Sequence, residues 1–222
     1  MDRYSIYFFE VLNSTNTFSK ELIKNSIVNV NTPNIIIANK QMSGRGKLNA
    51  KFYSNTPNGL WFSIISKIFI DIKYLPLITI YTGYVVKKTI EELYPNLKGK
   101  IILKLPNDIY INNKKICGIL TEAFNNFLII GIGINVNHTR EDFNEKIKDI
   151  ASSLYIETNK KIDKFIILKK ILKNLSFNIN LIEFFNKNHI NVLFKNKIIE
   201  IHKVKNFEFI TTDGKKIKWI EI

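Results

Sequence analysis

Between Ile101 and Asn137 the chain runs through a series of apolar stretches broken at only three places: Pro106-Asn107-Asp108, Asn112-Asn113 and Asn125-Asn126. Asparagine tolerates the positive φ that tight two-residue hairpin turns demand, so the two Asn-Asn pairs read as hairpin turns. Breaks this short cannot hold the dozen or more residues of a parallel crossover. The stretch therefore folds as adjacent antiparallel strands, and the rest of the chain must be built around them.

Around this block, strands and helices alternate. Tyr4 to Leu12 reads as a strand, followed by a helix through about Lys24 with N-cap candidates in Asn13-Ser14-Thr15-Asn16. Asn34 to Asn39 and Leu60 to Ser66 read as buried strands, and Leu75 to Leu93 has helical spacing that ends before Pro95. A short helix is expected over Glu141–Ile150 and a longer one over Lys161–Phe185. Short strands return beyond Asn188, with Asp213-Gly214 as a hairpin turn. The order predicts an α+β fold with a mixed, largely antiparallel sheet packed against helices, rather than a doubly wound parallel one. A soft boundary near 188–191 divides a main domain, 1–188, from a small, reduced C-terminal β domain, 189–222.

The chain has 222 residues, 45% of them hydrophobic, enough for one substantial core. Its most apolar window, Ile64 to Val86, is interrupted by Lys67, Asp71, Lys73 and Pro76, too often for a membrane span. Met1-Asp2-Arg3-Tyr4 lacks the basic start and apolar run of a secretory signal. With the single cysteine Cys117, this leads us to expect a cytoplasmic location. The net charge of +14 could serve nucleic acid, but the lysines are scattered and arginine occurs only at positions 3, 45 and 140. Drift toward A/T-rich codons explains this abundance of Lys, Ile and Asn, and no nucleic-acid or membrane partner is expected.

Several segments could carry chemistry. In Gln41-Met42-Ser43-Gly44-Arg45-Gly46-Lys47, glycines flank an arginine in a chain that otherwise uses lysine. Backbone N–H groups freed by glycine, a guanidinium fork and a lysine charge suit an anion; a solvated loop is the competing reading. Lys104-Leu105-Pro106-Asn107-Asp108 presents an amide, a carboxylate and an ammonium near one turn, and Lys115 follows one hairpin later. Asn107 and Asp108 offer oxygen donors suited to Mg²⁺, although an ordinary polar hairpin would look the same. Gly131-Ile132-Gly133-Ile134-Asn135 lacks the third glycine and following helix of a dinucleotide fingerprint. Its glycines are better read as room for a ligand or another backbone. Ser14-Thr15-Asn16 is a helix start, which also collects polar ligand groups.

Other chemistries lack their residues. His138, His189 and His202 make no metal-binding pair, no serine sits in a nucleophile elbow, and the Gly44–Lys47 segment is too short for a Walker A loop. Cys117, between Ile116 and Gly118 in a strand, reads as a small core residue rather than a nucleophile.

Taken in order, these segments resemble the catalytic domain of biotin–protein ligases. That family carries a Ser-Thr-Asn helix start and a Gly-Arg-Gly-Arg loop ending in Trp. Next comes Lys-Trp-Pro-Asn-Asp-hydrophobic-Tyr, then Lys-hydrophobic-small-Gly-Ile-Leu and Gly-hydrophobic-Gly-Ile-Asn. Here the segments span about residues 7 to 137, and Ala151-Ser152-Ser153-Leu154 looks like a further one.

The resemblance implies the class II synthetase-like fold of biotin and lipoate ligases. It also implies an enzyme that activates biotin with ATP and Mg²⁺ as biotinyl-5'-AMP and transfers it to a lysine of a biotin carboxyl carrier protein. By the same resemblance, Ser14, Thr15, Asn16, Gln41 and Gly118 would border biotin. Arg45, Gly46 and Lys47 would close over its carboxylate and the ATP phosphates. Lys115 would meet the carboxylate and developing charge, while Lys104, Asn107, Asp108 and Asn135 would position ATP and Mg²⁺. Arg45, Lys47 and Lys115 are the expected catalytic groups, and an isologous homodimer is the expected assembly. The chain departs from the pattern at Lys47, Ala50, Phe52 and Leu105, where many members have Arg, Arg, Trp and Trp. Lipoate or octanoate–protein ligases and transferases of the same fold are the alternative; the Pro-Asn-Asp turn with Lys115 favours biotin.

Overall fold

The computed structural model describes residues 4–68, 70–177, 179–205 and 208–218. From the N-terminal side, β1 (Ser5–Leu12), α1 (Thr15–Lys24), β2 (Asn34–Gln41), β3 (Gly59–Lys67) and α2 (Leu75–Leu93) lead into the hairpin block. That block is β4 (Ile101–Lys104), β5 (Asp108–Ile111), β6 (Lys114–Phe124) and β7 (Phe127–Asn135). Helices α3 (Leu154–Thr158), α4 (Lys164–Asn174) and α5 (Leu181–Lys187) follow. The chain then returns to strands β8 (Ile190–Phe194), β9 (Lys197–Lys205), β10 (Glu208–Thr211) and β11 (Lys216–Lys218).

The strands form one mixed sheet in the order β1-β2-β3-β7-β6-β5-β4-β8-β9-β10-β11. Among the described strands, β1–β2 and β4–β8 pair in parallel and the other neighbours are antiparallel. The hairpin turns are built by asparagine as its tolerance of positive φ predicts: Asn112 and Asn113 have φ of 49° and 61°, and Asn125 has 52°.

The period-two alternation of the inner strands sorts their side chains between two faces. Ile35 and Ile37 of β2, and Leu60, Phe62 and Ile64 of β3, join the large core beneath α2, α4 and α5. Ile36 and Ile65 point the other way and pack with Leu22 and Ile23 of α1. Trp61 and Ser63 share that second face, as do Gly131 and Gly133, their register partners on β7. Cross-strand partners Gly118 and Leu120 of β6 extend the rows. Small residues there, flanked by α1, leave a groove on one sheet face. No helix among the described residues is long and apolar enough to cross a membrane.

Two expected helices differ. Lys161–Phe185 is broken in two, because Leu175 turns to extended backbone and the Ser176 N–H donates to the Tyr81 hydroxyl of α2 instead of continuing the helix. Asn180 then caps α5 by accepting from Glu183 N–H. Glu141–Ile150 is a chain of single turns rather than a helix. Its Asx side chains compete for backbone donors: Asp142 accepts from Thr139 N–H and Asn144 from Lys146 N–H.

Candidate active site

The groove holds a cavity of about 210 Å³. Its lining brings together Ser14, Thr15, Asn16, Gln41, Arg45, Gly46, Lys47, Asn107, Asp108, Lys115 and Gly118, all singled out in the sequence. Each arrives from the end or face of an element that the local sequence dictates. Ser14 caps α1 with its hydroxyl toward Thr17 N–H, which turns Thr15 and Asn16 down onto the sheet. Gln41 ends β2, its side chain held on both sides: Oε1 accepts the Thr15 N–H at 2.8 Å and Nε2 donates to Ser54 Oγ at 3.1 Å.

The loop after Gln41 folds over the groove. Gly44 has no room for a Cβ, which would stand 2.3 Å from Ser54 Oγ and 2.5 Å from the Phe52 carbonyl. The loop closes on itself through Phe52 N–H to Gly44 O and Gly46 N–H to Ala50 O. Its return strand lays the Phe52 ring across Gly118 and Gly133; a Cβ on either glycine would lie 2.7 Å from that ring. The missing side chains on the floor are therefore occupied by a ring from the lid.

A second cavity of about 610 Å³ adjoins the first. Tyr53, Tyr110, Asn135, Phe143 and the 144–147 and 150–151 segments line it. Lys51, Phe52 and Lys115 line both cavities. The far wall is pinned to β6 by Lys115 N–H to Ile150 O and Ser152 N–H to Lys115 O. The Lys115 ammonium lies 2.7 Å from Asp108 Oδ1 and 5.4 Å from the centre of the Phe52 ring. Asp108 Oδ1 is buried and, beyond this ion pair, takes no hydrogen bond. Asn107 Nδ2 donates to the Ile119 carbonyl, leaving Oδ1 as its remaining side-chain polar atom. Asn135 Nδ2 donates to Ser152 O. Lys104 lines neither cavity; its ammonium rests 4.7 Å from the centre of the Tyr110 ring. Among the described residues no three His, Cys, Asp or Glu side chains gather as a metal site.

Three residues not singled out in the sequence complete the closed end. Ser54 holds Gln41, Ser63 lies against Thr15 and Asn16, and Glu122 accepts from Asn16 and Lys20 while lying 3.4 Å from Arg45. Burial alone would raise the Glu122 carboxyl. Hydrogen bonds from Lys20 and Asn16 and the charges of Lys20 and Arg45 outweigh it and hold the group below the usual carboxylate range. A signal was present: counting in twos from Gly118 puts Leu120 and Glu122 on the glycine's own face, so a charge in this apolar strand had to meet the groove. Cys117, on the opposite face, is fully buried, and burial pushes its thiol up, away from nucleophilic use.

Behind the second cavity, His138 is sandwiched between Phe143, stacked at 5.1 Å, and Trp61, edge-on at 5.7 Å. Burial pushes its pKa down from 6.5 to about 4, against the pull of Asp142 and with the push of Lys164. Between these two values the unfolded chain binds a proton that the folded chain refuses, so stability falls as pH falls. The slope approaches about 1.4 kcal/mol per pH unit, or about 2 kcal/mol lost by pH 5. Melting curves at pH 7 and 5 should show this loss, and His138→Phe should remove most of it. A variant losing as much as the parent would place the acid sensitivity elsewhere.

The model of the Biotin/lipoate A/B protein ligase family matches residues 8–137, and the chain belongs to this family. The chain is 38% identical over 177 residues to the bifunctional ligase/repressor BirA of Bacillus subtilis, a match covering 78% of this chain and 52% of the relative. It thus spans about half the length of the curated relatives it matches. Among solved structures it resembles the biotin protein ligase from Aquifex aeolicus in complex with biotin and ATP. The TM-score is 0.74 at 30% identity, covering 96% of this chain and 95% of the other. The ligase from Leishmania major in complex with biotinyl-5-AMP shares the fold, at TM-score 0.68 and 19% identity over 96% and 97% of the two chains.

Proposed function

We propose that the chain is a biotin–protein ligase: it activates biotin with ATP and passes the biotinyl group to a lysine of a biotin carboxyl carrier protein. The observation that carries this reading is the pair of adjoining cavities sharing Lys51, Phe52 and Lys115. One has a closed end rich in fixed polar groups; the other has an aromatic and amide lining suited to a purine. Their junction is where a carboxylate would meet a phosphate.

In the first step a biotin carboxylate oxygen attacks the α-phosphorus of ATP, the bond to the β-phosphate breaks, and pyrophosphate leaves. Two anions must approach each other, so fixed positive charge at the junction lowers the barrier. Lys115 and Lys51 supply it where the cavities meet, with Arg45 and Lys47 further along the first cavity. Asn107 and Asp108 carry the oxygen donors for Mg²⁺; so small a protein contribution fits an ion that completes its shell with phosphate oxygens and water. When bound, Mg²⁺ supplies further charge neutralisation on the phosphates. In the second step the acceptor amine attacks the acyl carbon, AMP leaves, and an amide forms with release of a proton. No protein nucleophile is required, because the acceptor amine itself attacks the activated acyl group.

The polar closed end favours biotin over lipoate or octanoate. Thr15, Asn16 and Gln41 would face a hydrocarbon or dithiolane tail with their remaining capacity unmet, whereas a ureido ring offers both donors and an acceptor. Purified protein mixed with biotin, ATP and Mg²⁺ should release pyrophosphate only when biotin is present, and should label a carrier domain on one lysine. Release driven by lipoate and not by biotin would reverse the assignment.

A further inference from the structure

The hydrogen bonds at the closed end have a direction, and Glu122 sets it. Ser63 Oγ lies 2.6 Å from Asn16 Oδ1 and 2.7 Å from Thr15 Oγ1. Its single proton can serve only one of them. The amide oxygen has no proton to offer in return and the Thr15 hydroxyl has one, so Ser63 donates to Asn16 and accepts from Thr15. Gln41 Oε1 is still satisfied by the Thr15 N–H at 2.8 Å.

On its other side, Asn16 Nδ2 donates to Glu122 Oε2 at 2.8 Å and to the Leu120 carbonyl at 3.2 Å. Both amide protons are thereby used. Rotating the amide by half a turn would set its oxygen against a carboxylate. Lys20, 2.6 Å from Oε1, and Arg45 help hold that carboxylate in place and charged. What Asn16 retains is one lone pair on Oδ1, so it can accept a hydrogen bond from a ligand but cannot donate one.

We propose that Glu122 is a positioning residue that locks Asn16 as an acceptor, so that the closed end selects ligands whose ring presents an N–H donor. The inference deepens the biotin reading and rests on it: a cyclic urea meets the requirement, and a dithiolane or alkyl tail does not.

The test is calorimetric titration of biotin into the parent, Glu122→Gln, Asn16→Ala and the double variant. The glutamine introduced by Glu122→Gln can present either end of its amide, so the lock on Asn16 is lost. Biotin affinity should fall roughly tenfold in Glu122→Gln. In the Asn16→Ala background the same substitution should change affinity by less than about twofold, because its effect runs through Asn16. ATP affinity should stay within about twofold throughout. Should the glutamine variant not fold, Glu122→Asp serves, since its shorter arm cannot reach both partners.

Losses that multiply in the double variant, or a Glu122→Gln protein that binds biotin like the parent, would overturn the proposal. A parent protein that does not bind biotin would overturn the functional reading itself.

Discussion

Replacing Lys115 with methionine is expected to slow biotin-dependent pyrophosphate release by roughly 10²–10³-fold, the usual cost of losing one well-placed group that stabilises developing charge. The position leaves it few substitutes. The ammonium sits at the junction of the two cavities, 2.7 Å from Asp108 Oδ1, and its side chain is 30% exposed. Methionine keeps the length and apolar stem that lies by Phe52 but removes the charge. It also strands the buried Asp108 oxygen without its counter-charge, so rates must be compared per folded molecule, with melting curves alongside. Arginine at the same place keeps the charge in a planar, bulkier form and should recover only part of the rate. A methionine variant within tenfold of the parent would move the burden of charge stabilisation to Arg45 and Lys47.

The second large effect is expected from the smallest change. Gly131→Ala places a methyl 2.2 Å from Asn16 Oδ1 and 2.8 Å from its Cγ, distances that real side chains do not tolerate. Asn16 is fastened by Ser63, Leu120 and Glu122 and cannot step aside without breaking several hydrogen bonds at once. Biotin affinity should fall by roughly a hundredfold, the loss of about two buried hydrogen bonds. Calorimetric titration reads it directly. Gly133→Ala is a useful contrast, because its methyl meets the rim of the Phe52 ring, which can rotate away. Equal losses in the two variants would argue that the floor, not the Asn16 network, controls binding.

How much of this was legible in the sequence depended on whether the cause was local. The Asn112-Asn113 and Asn125-Asn126 turns could be read because asparagine at positive φ is a property of two residues, and the strands between them followed. Arg45 between its glycines was legible for the same reason. The break between α4 and α5 was not, since the apolar spacing of Lys161–Phe185 continues through it and the interruption comes from a hydroxyl on α2. The closed end of the groove divides along that line. Ser14, Thr15 and Asn16 announce themselves as a helix start, whereas Ser63 and Glu122 are lone polar residues in apolar strands. Counting in twos from Gly118 places Glu122 on the groove face, but its partners, and the role of Ser63, emerge only once register sets Ser63 opposite Gly131, and Gly131 opposite Leu120. Lys104, close in sequence to Pro106-Asn107-Asp108, lines neither cavity itself, its ammonium resting against the ring of Tyr110, a residue of the second cavity's wall.

The parallel pairing of β4 with β8 bears on how the protein is made. Leu103 pairs with Val192 and Lys104 with Leu193, and the Leu105 N–H donates to the Leu193 carbonyl. The strand that delivers the Pro-Asn-Asp turn therefore has one flank bare until the segment around residue 192 leaves the ribosome. During synthesis the polar closed end, built from residues 14 to 131, can form before the outer flank of the strand that leads into the Pro-Asn-Asp turn is covered. A nascent chain stalled before β8 would carry an open edge beside the Pro-Asn-Asp turn, the kind of edge that recruits other strands.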